Sequence, residues 1–212
     1  MIITKEFEGE MAHIVRNCST ERCKKSIHGH SYKVLVSLTA SVLDNAGMIY
    51  DFGLMKGSIK QFIDSFDHCT VFWNQDDKDY IESIKKHSDR WISLPFNPSA
   101  EMLSLFLLSA VEGILKSTQT NNGECNDLRV ISVQYYETRT GSATSFSSDL
   151  QKMPNIFSVM TNGETRGGGI EFSTGVTKDW DTNLWQWFLR GKSICTNPKE
   201  ELFLNPKADQ QV

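Results

Sequence analysis

From Ser31 to about Val42 every second residue is apolar: Tyr32, Val34, Val36, Leu38 and Ala40 fall on one side of the alternation, Lys33, Ser37 and Thr39 on the other. A period of two sets one row against a core and the other in water, which describes a strand with one covered face. Thr4 to Val15 repeats the pattern, with Phe7, Met11 and His13 on one parity and Glu6, Glu8 and Glu10 on the other. The charged stretch between them, with Cys18 and Cys23, is a loop. Two such strands need a layer over their apolar faces. Met55, Ile59, Phe62, Ile63 and Phe66 are spaced for one helical face, and Met102, Leu103, Phe106, Leu107, Ala110, Val111, Ile114 and Leu115 make a wider stripe. Asn97 is the expected N-cap of that second helix, with Pro98 at its first position. Gln75 to Arg90 is polar, with at most a short surface helix, and STQTNNGECND is a loop by composition. In Leu128–Glu137 the residues Ile131, Val133, Tyr135 and Glu137 share a face, and Thr140-Gly141 turns the chain into Ser142–Phe146. The order strand, strand, helix, helix, strand, strand implies an α+β architecture: an antiparallel sheet with helices packed on one side.

Composition narrows the function classes. The chain has 212 residues, a formal charge of −4 and 39% hydrophobic content, enough for a real core. That charge argues against wrapping nucleic acid, and no apolar run is long enough to span a bilayer. The start, MIITKEFEGE, lacks the pattern of a secretion signal, and five cysteines are too few and too odd in number for a disulfide scaffold. The expectation is a reduced, cytoplasmic protein with neither membrane nor nucleic acid as partner. The pattern changes after Phe146, so the expected organisation is one domain over 1–146 and a C-terminal extension over 147–212. In the extension, MTNGETRGGGIEF has the glycine density of a hairpin or mobile loop, Trp180, Leu184, Trp187 and Phe188 can line a short amphipathic helix, and the last dozen residues look frayed. Trp180, Trp185 and Trp187 read either as an interaction arm or as core.

The sharpest chemical signal is His28-Gly29-His30, just ahead of the second strand's apolar run. Residues two apart on a strand point the same way, so both imidazoles face the side of Val34 and Val36. His13 ends the apolar face of the first strand, and antiparallel pairing brings it to them. Three neutral imidazoles suit zinc, with a fourth position for substrate, water or thiolate. Cys23, flanked by Arg22, Lys24 and Lys25, is either a thiolate base or that fourth ligand, which would close the site. Asp67-His68 is a proton-transfer pair or a helix end. Glu137, at the end of its strand, is an exposed carboxylate or the partner of an amidine-like ligand edge. Glu101 lies in the first turn of the second helix, where a carboxylate suits the helix dipole.

The segments FEGEMAHIV, CKKSIHGHSYKV, GMIYDFGLMK, FDHCTVFWNQDD, FNPSAEM and VQYYETRTGSATSF occur in an order that resembles the 6-pyruvoyl-tetrahydropterin synthase family, which includes 6-carboxytetrahydropterin synthases of deazaguanine and queuosine biosynthesis. The resemblance covers roughly residues 1–146. It implies the tunnelling fold, ββααββ, in homo-oligomers with active sites at subunit boundaries. It also implies zinc on His13, His28 and His30, catalysis by Cys23, Asp67 and His68, a pterin ring anchored by Glu137, and a secondary ring contact from Glu101. The implied substrate is 7,8-dihydroneopterin triphosphate and the implied enzyme a zinc-dependent lyase. The NPSAE and DHxxxxxN surroundings look like the carboxy branch, whose products are 6-carboxytetrahydropterin, acetaldehyde and triphosphate. The pyruvoyl branch, which eliminates triphosphate from the same substrate, is the alternative, and a non-catalytic zinc module is the alternative of another class. Four residues separate Cys23 from His28, a spacing between those of the two branches.

Overall fold

The computed structural model describes residues 1–152 and 169–195. The alternating segments form β1 (Ile2–His13) and β2 (His28–Thr39), joined by a loop carrying the short α1 (Glu21–Lys25). Then follow α2 (Ser58–Asp64), β3 (Cys69–Trp73), α3 (Lys78–His87), β4 (Trp91–Leu94), α4 (Ala100–Ser117) and β5 (Thr118–Gln119). The hairpin β6 (Arg129–Tyr136) and β7 (Ser142–Phe146) comes next, and after it β8 (Glu171–Phe172), α5 (Thr174–Thr177), α6 (Thr182–Arg190) and β9 (Ile194–Cys195).

The main sheet runs β7-β6-β2-β1-β3-β4-β8. Its β7-β6-β2-β1 half is antiparallel, as the alternation implies, and β1 pairs with β2 from Ile2 opposite Thr39 to His13 opposite His28. Beyond β1 the sheet is mixed, because β3 lies parallel to β1 and β4 parallel to β3. Alternation does not reveal these two strands. Val71 and Phe72 are adjacent and both buried, as are Ile92, Ser93 and Leu94, and a strand covered on both faces shows no parity. In β6 the register shifts by one residue opposite Ser37 and Leu38. This bulge puts Val130, rather than the expected Ile131, in the core with Val133 and Tyr135.

Helices α2 and α4 cover the apolar face. Met55, Ile59, Phe62, Ile63 and Phe66 are all buried, as is nearly every apolar side chain of α4. The expected cap is corrected: Ser99, not Asn97, occupies the N-cap of α4 and accepts from the Met102 amide. Asn97 is taken by a longer-range task. Its Oδ1 accepts from the Arg16 amide at 2.9 Å and its Nδ2 donates to the Arg16 carbonyl, tying the β1–β2 loop to the start of α4.

Residues 169–195 have no core of their own. β8 pairs with β4 at the sheet edge, and Val176, Trp180, Leu184 and Trp187 join the same apolar cluster as Phe62 and Phe106. Trp180 Nε1 donates to Ser65 Oγ at 2.7 Å and Trp187 Nε1 to Ser117 Oγ at 3.1 Å. Of the three tryptophans that read as arm or core, Trp180 and Trp187 are therefore core, and Trp185 remains exposed. The glycine-rich stretch before Gly169 and the last dozen residues lie outside the described residues. Among those described, no helix is long and apolar enough to cross a membrane.

Candidate metal centre and active site

The β1–β2 register brings the three histidines together. His13 stands directly opposite His28, and His30 stands opposite Met11, so all three project from one face at one end of the pair. Their ring centroids are 4.7, 5.1 and 5.0 Å apart, and one nitrogen from each lies within 4.8 Å of the others. Main-chain carbonyls orient two of the rings. His13 Nδ1 donates to Pro98 O at 2.8 Å and His28 Nδ1 to Ser26 O at 3.0 Å, leaving each Nε2 as a lone pair. His13 Nε2 and His30 Nε2 are buried and, among the described residues, without a hydrogen-bond partner. Glu137 adds another acceptor, with its Oε1 3.3 Å from His13 Nε2 and 3.8 Å from His30 Nε2.

A proton does not resolve this convergence of acceptors near neutral pH. Burial, aided by His28 and His30, lowers the His13 pKa from 6.5 to about 4, and burial outweighs the Glu137 carboxylate in lowering that of His30. Neutral imidazoles with orphaned nitrogens facing a carboxylate form a hole for a cation. The cluster could hold a metal ion through three nitrogens. Cys23 lies outside that group. It is half-buried on α1, with its carbonyl accepting from the Val15 amide at 3.1 Å. The next carbonyl, Lys24 O, accepts from Arg16 Nη1 at 2.7 Å, and Arg16 Nε reaches Asp76 at 2.9 Å. The cysteine's segment is thus anchored by groups far along the chain.

Asp67 and His68 do contact each other: His68 Nδ1 lies 3.0 Å from Asp67 Oδ2. The pair is built onto β1. Asp67 Oδ1 accepts from the Glu10 amide at 2.7 Å, and the His68 amide donates to Glu10 O at 2.6 Å. Burial opposes ionisation of Asp67, but the Glu10 amide and the His68 ring outweigh it and hold the carboxyl below its usual range. His68 has φ +53°, a left-handed conformation that a side-chain-bearing residue keeps only when its surroundings over-determine it. Gly9 makes room for the pair, since a Cβ there would come within 2.9 Å of Asp67 Oδ1 and 2.6 Å of Tyr32 Oη. Cys69, next in sequence, is buried, and burial pushes its thiol pKa up, so it stays a protonated core side chain.

Two cavities border some of these groups, and both are lined by Glu10, Gly29, His30 and Ser31. One of about 330 Å³ has His30 and Glu10 on one side and His68 on the other. A larger one of about 920 Å³ is lined by His30, Glu137, Arg139, Lys33 and the carboxylates of Glu6 and Glu8. The structure therefore gathers His13, His28, His30 and Glu137 at one end of the sheet, and His68 lines the smaller cavity with His30. Glu101 is exposed in the first turn of α4, and among the described residues its carboxylate makes no ion pair or hydrogen bond with the histidines. The supporting carbonyls of Pro98 and Ser26, and the side chains of Arg16 and Asn97, carry no local signal in the sequence.

The comparisons with known proteins bear on the family and the fold. The profile of the 6-pyruvoyl tetrahydropterin synthase family matches residues 2–147. Two Helicobacter pylori proteins, each a 6-carboxy-5,6,7,8-tetrahydropterin synthase, are 37% identical to this chain over 196 residues, covering 92% of it and 94% of their own length. That coverage runs well past residue 147, so the C-terminal extension has a counterpart in these relatives. The crystal structure of an uncharacterized Wolinella succinogenes protein superposes with a TM-score of 0.58 at 20% identity, covering 69% of this chain and 98% of that one.

Proposed function

The chain belongs to the 6-pyruvoyl tetrahydropterin synthase family, and from that membership we propose that it is a zinc-dependent 6-carboxy-5,6,7,8-tetrahydropterin synthase. It converts 7,8-dihydroneopterin triphosphate and water to 6-carboxytetrahydropterin, acetaldehyde and triphosphate. The carboxy branch is supported by the Helicobacter relatives. The lyase chemistry is supported by one observation above all: buried imidazole nitrogens that converge with no donor among them.

His13, His28 and His30 would hold the zinc, which would supply Lewis acidity for the hydroxyl oxygens of the substrate's side chain. The remaining work falls to the chain's own groups. Cys23, as thiolate, takes a proton from that side chain, and His68, steadied by Asp67, returns one. Glu137 accepts hydrogen bonds from the amino-pyrimidine edge and so fixes the ring relative to the histidines, with Glu101 a secondary contact. Glu137 is supported in this role by its place in the 920 Å³ cavity beside His30. A closed, structural zinc site is disfavoured by Cys23 lying outside the ligand group. Copies of the chain associate into a homo-oligomer with these sites at subunit boundaries, which size-exclusion chromatography with light scattering reads directly.

The deciding experiment incubates purified, zinc-loaded protein with 7,8-dihydroneopterin triphosphate and follows acetaldehyde and the pterin product. Acetaldehyde with 6-carboxytetrahydropterin is the expected result. A pyruvoyl product without acetaldehyde moves the chain to the other branch, and no turnover of the pterin overturns the reading. Cys23→Ala abolishes turnover while the zinc content stays that of the native protein.

A further inference from the structure

The C-terminal extension reaches the Asp67–His68 pair through Arg90. This side chain lies mostly buried just ahead of β4, where its guanidinium binds four acceptors from two segments. Nε donates to Asp67 O at 2.9 Å and Nη2 to Asp64 O at 3.2 Å. Nη1 donates to Gly175 O at 2.9 Å and pairs with Asp179 Oδ2 at 2.5 Å, both in the extension. The Asp67 carbonyl and the His68 amide belong to one peptide plane. Its C=O is held by Arg90 Nε and its N–H by Glu10 O, so the plane is gripped at both ends. The left-handed φ of His68 is a rotation measured from that plane, which makes the two grips the direct restraint on where the imidazole stands.

The extension is fitted closely enough to act as the far anchor. Ser173 exchanges main-chain and side-chain hydrogen bonds with Trp91 and donates Oγ to Asp89 O at 2.8 Å. At Gly175 a Cβ would fall 2.2 Å from Asp89 O, so only glycine lets its carbonyl approach Arg90. A cavity of about 450 Å³ has Asp67, His68 and Arg90 on one wall and Val176 and Asp179 on the other. We propose that Arg90 is a positioning residue for the Asp67–His68 pair, and that residues 173–179 of the extension serve the reaction by holding Arg90 in place. This rests on the reading of Asp67–His68 as a proton-transfer group.

The test compares Arg90→Lys, Asp179→Asn, His68→Ala and Gln61→Ala in the full-length, zinc-loaded protein. Lysine keeps the charge but cannot fork to Asp67, Asp64 and Gly175 together. Gln61 docks the extension by two hydrogen bonds to Asp181 and lines the same 450 Å³ cavity, but among the described residues it makes no hydrogen bond to Arg90, so it controls for docking. Arg90→Lys is expected to lower kcat by about tenfold or more with KM within about twofold of native, and to speed exchange of the His68 amide hydrogen by about the same factor. Asp179→Asn, at an exposed partner of Arg90, is expected to show the same signature at a few-fold size, and it decides the matter should Arg90→Lys not fold. Gln61→Ala is expected to leave kcat and His68 exchange unchanged. Native kcat in the Arg90 and Asp179 variants while His68→Ala is inactive would overturn the positioning role alone. Equal losses in Gln61→Ala and Arg90→Lys would overturn it in favour of general docking. Native turnover in His68→Ala would sink the underlying reading and the proposal together.

Discussion

His13 shows how one hydrogen bond sets the chemistry of a residue. Its Nδ1–H is committed to Pro98 O, so its lone pair can only face His30 and Glu137. Replacing a ligand ring removes a donor that nothing nearby supplies: His28→Ala is expected to lose bound zinc by elemental analysis and to lower turnover on the order of a hundredfold or more. Burial of His13 also has a consequence for stability in metal-free protein. Its pKa is 6.5 when free and about 4 when folded, so the unfolded chain takes up the proton first as pH falls. Stability is unaffected by this group above 6.5 and declines from there down to about 4, by on the order of 3 kcal/mol in all. Urea unfolding of chelator-treated protein at pH 7 and pH ~4.5 measures it, and the extra acid sensitivity relative to His13→Gln is the part that belongs to this ring.

The elements divide into those whose period is visible and those whose reason lies elsewhere. β1, β2 and α4 were legible because one face of each is covered and the other wet, or because the stripe recurs at helical spacing. β3 and β4 were not, since both their faces are covered, and the parity of β6 was misread at Ile131 because a bulge resets the count in mid-strand. The start of α4 was misread for a similar reason. Asn97, an apt cap by type, is drawn to Arg16 some eighty residues earlier, and Ser99 caps instead. Each role makes its own prediction. Ser99→Ala is expected to cost about 1 kcal/mol in thermal or urea unfolding, with turnover unchanged. Asn97→Ala frees the loop that carries Cys23, and is expected to cost about 1–3 kcal/mol and to lower kcat as well. A turnover loss in the first variant, or none in the second, would contradict the division of labour between these neighbours.

At the scale of the whole molecule, the extension and the sheet-helix layer share one core. Trp187 packs against Gly113, whose absent side chain leaves only 3.0 Å for a Cβ, and its ring meets that of Phe62 edge-on. Trp187→Ala is expected to destabilise the protein by about 3–5 kcal/mol, read as a fall in Tm, with the zinc site still loaded in the fraction that remains folded. A negligible change in Tm would mean that the extension contributes nothing to the core. The sequence by itself determined which residues of β1, β2, α2 and α4 face inward, that three imidazoles share one face at one end of two paired strands, and that helices cover the sheet. Those properties follow from the stereochemistry of a strand or helix, which acts over a few residues and leaves its period in the chain. Only the tertiary structure decided that Glu137 and two orphaned nitrogens converge, that Pro98 and Ser26 aim the rings, and that Arg90 joins the extension to Asp67. These depend on contacts between segments tens of residues apart, and their energies come from burial and desolvation that exist only once the chain has folded.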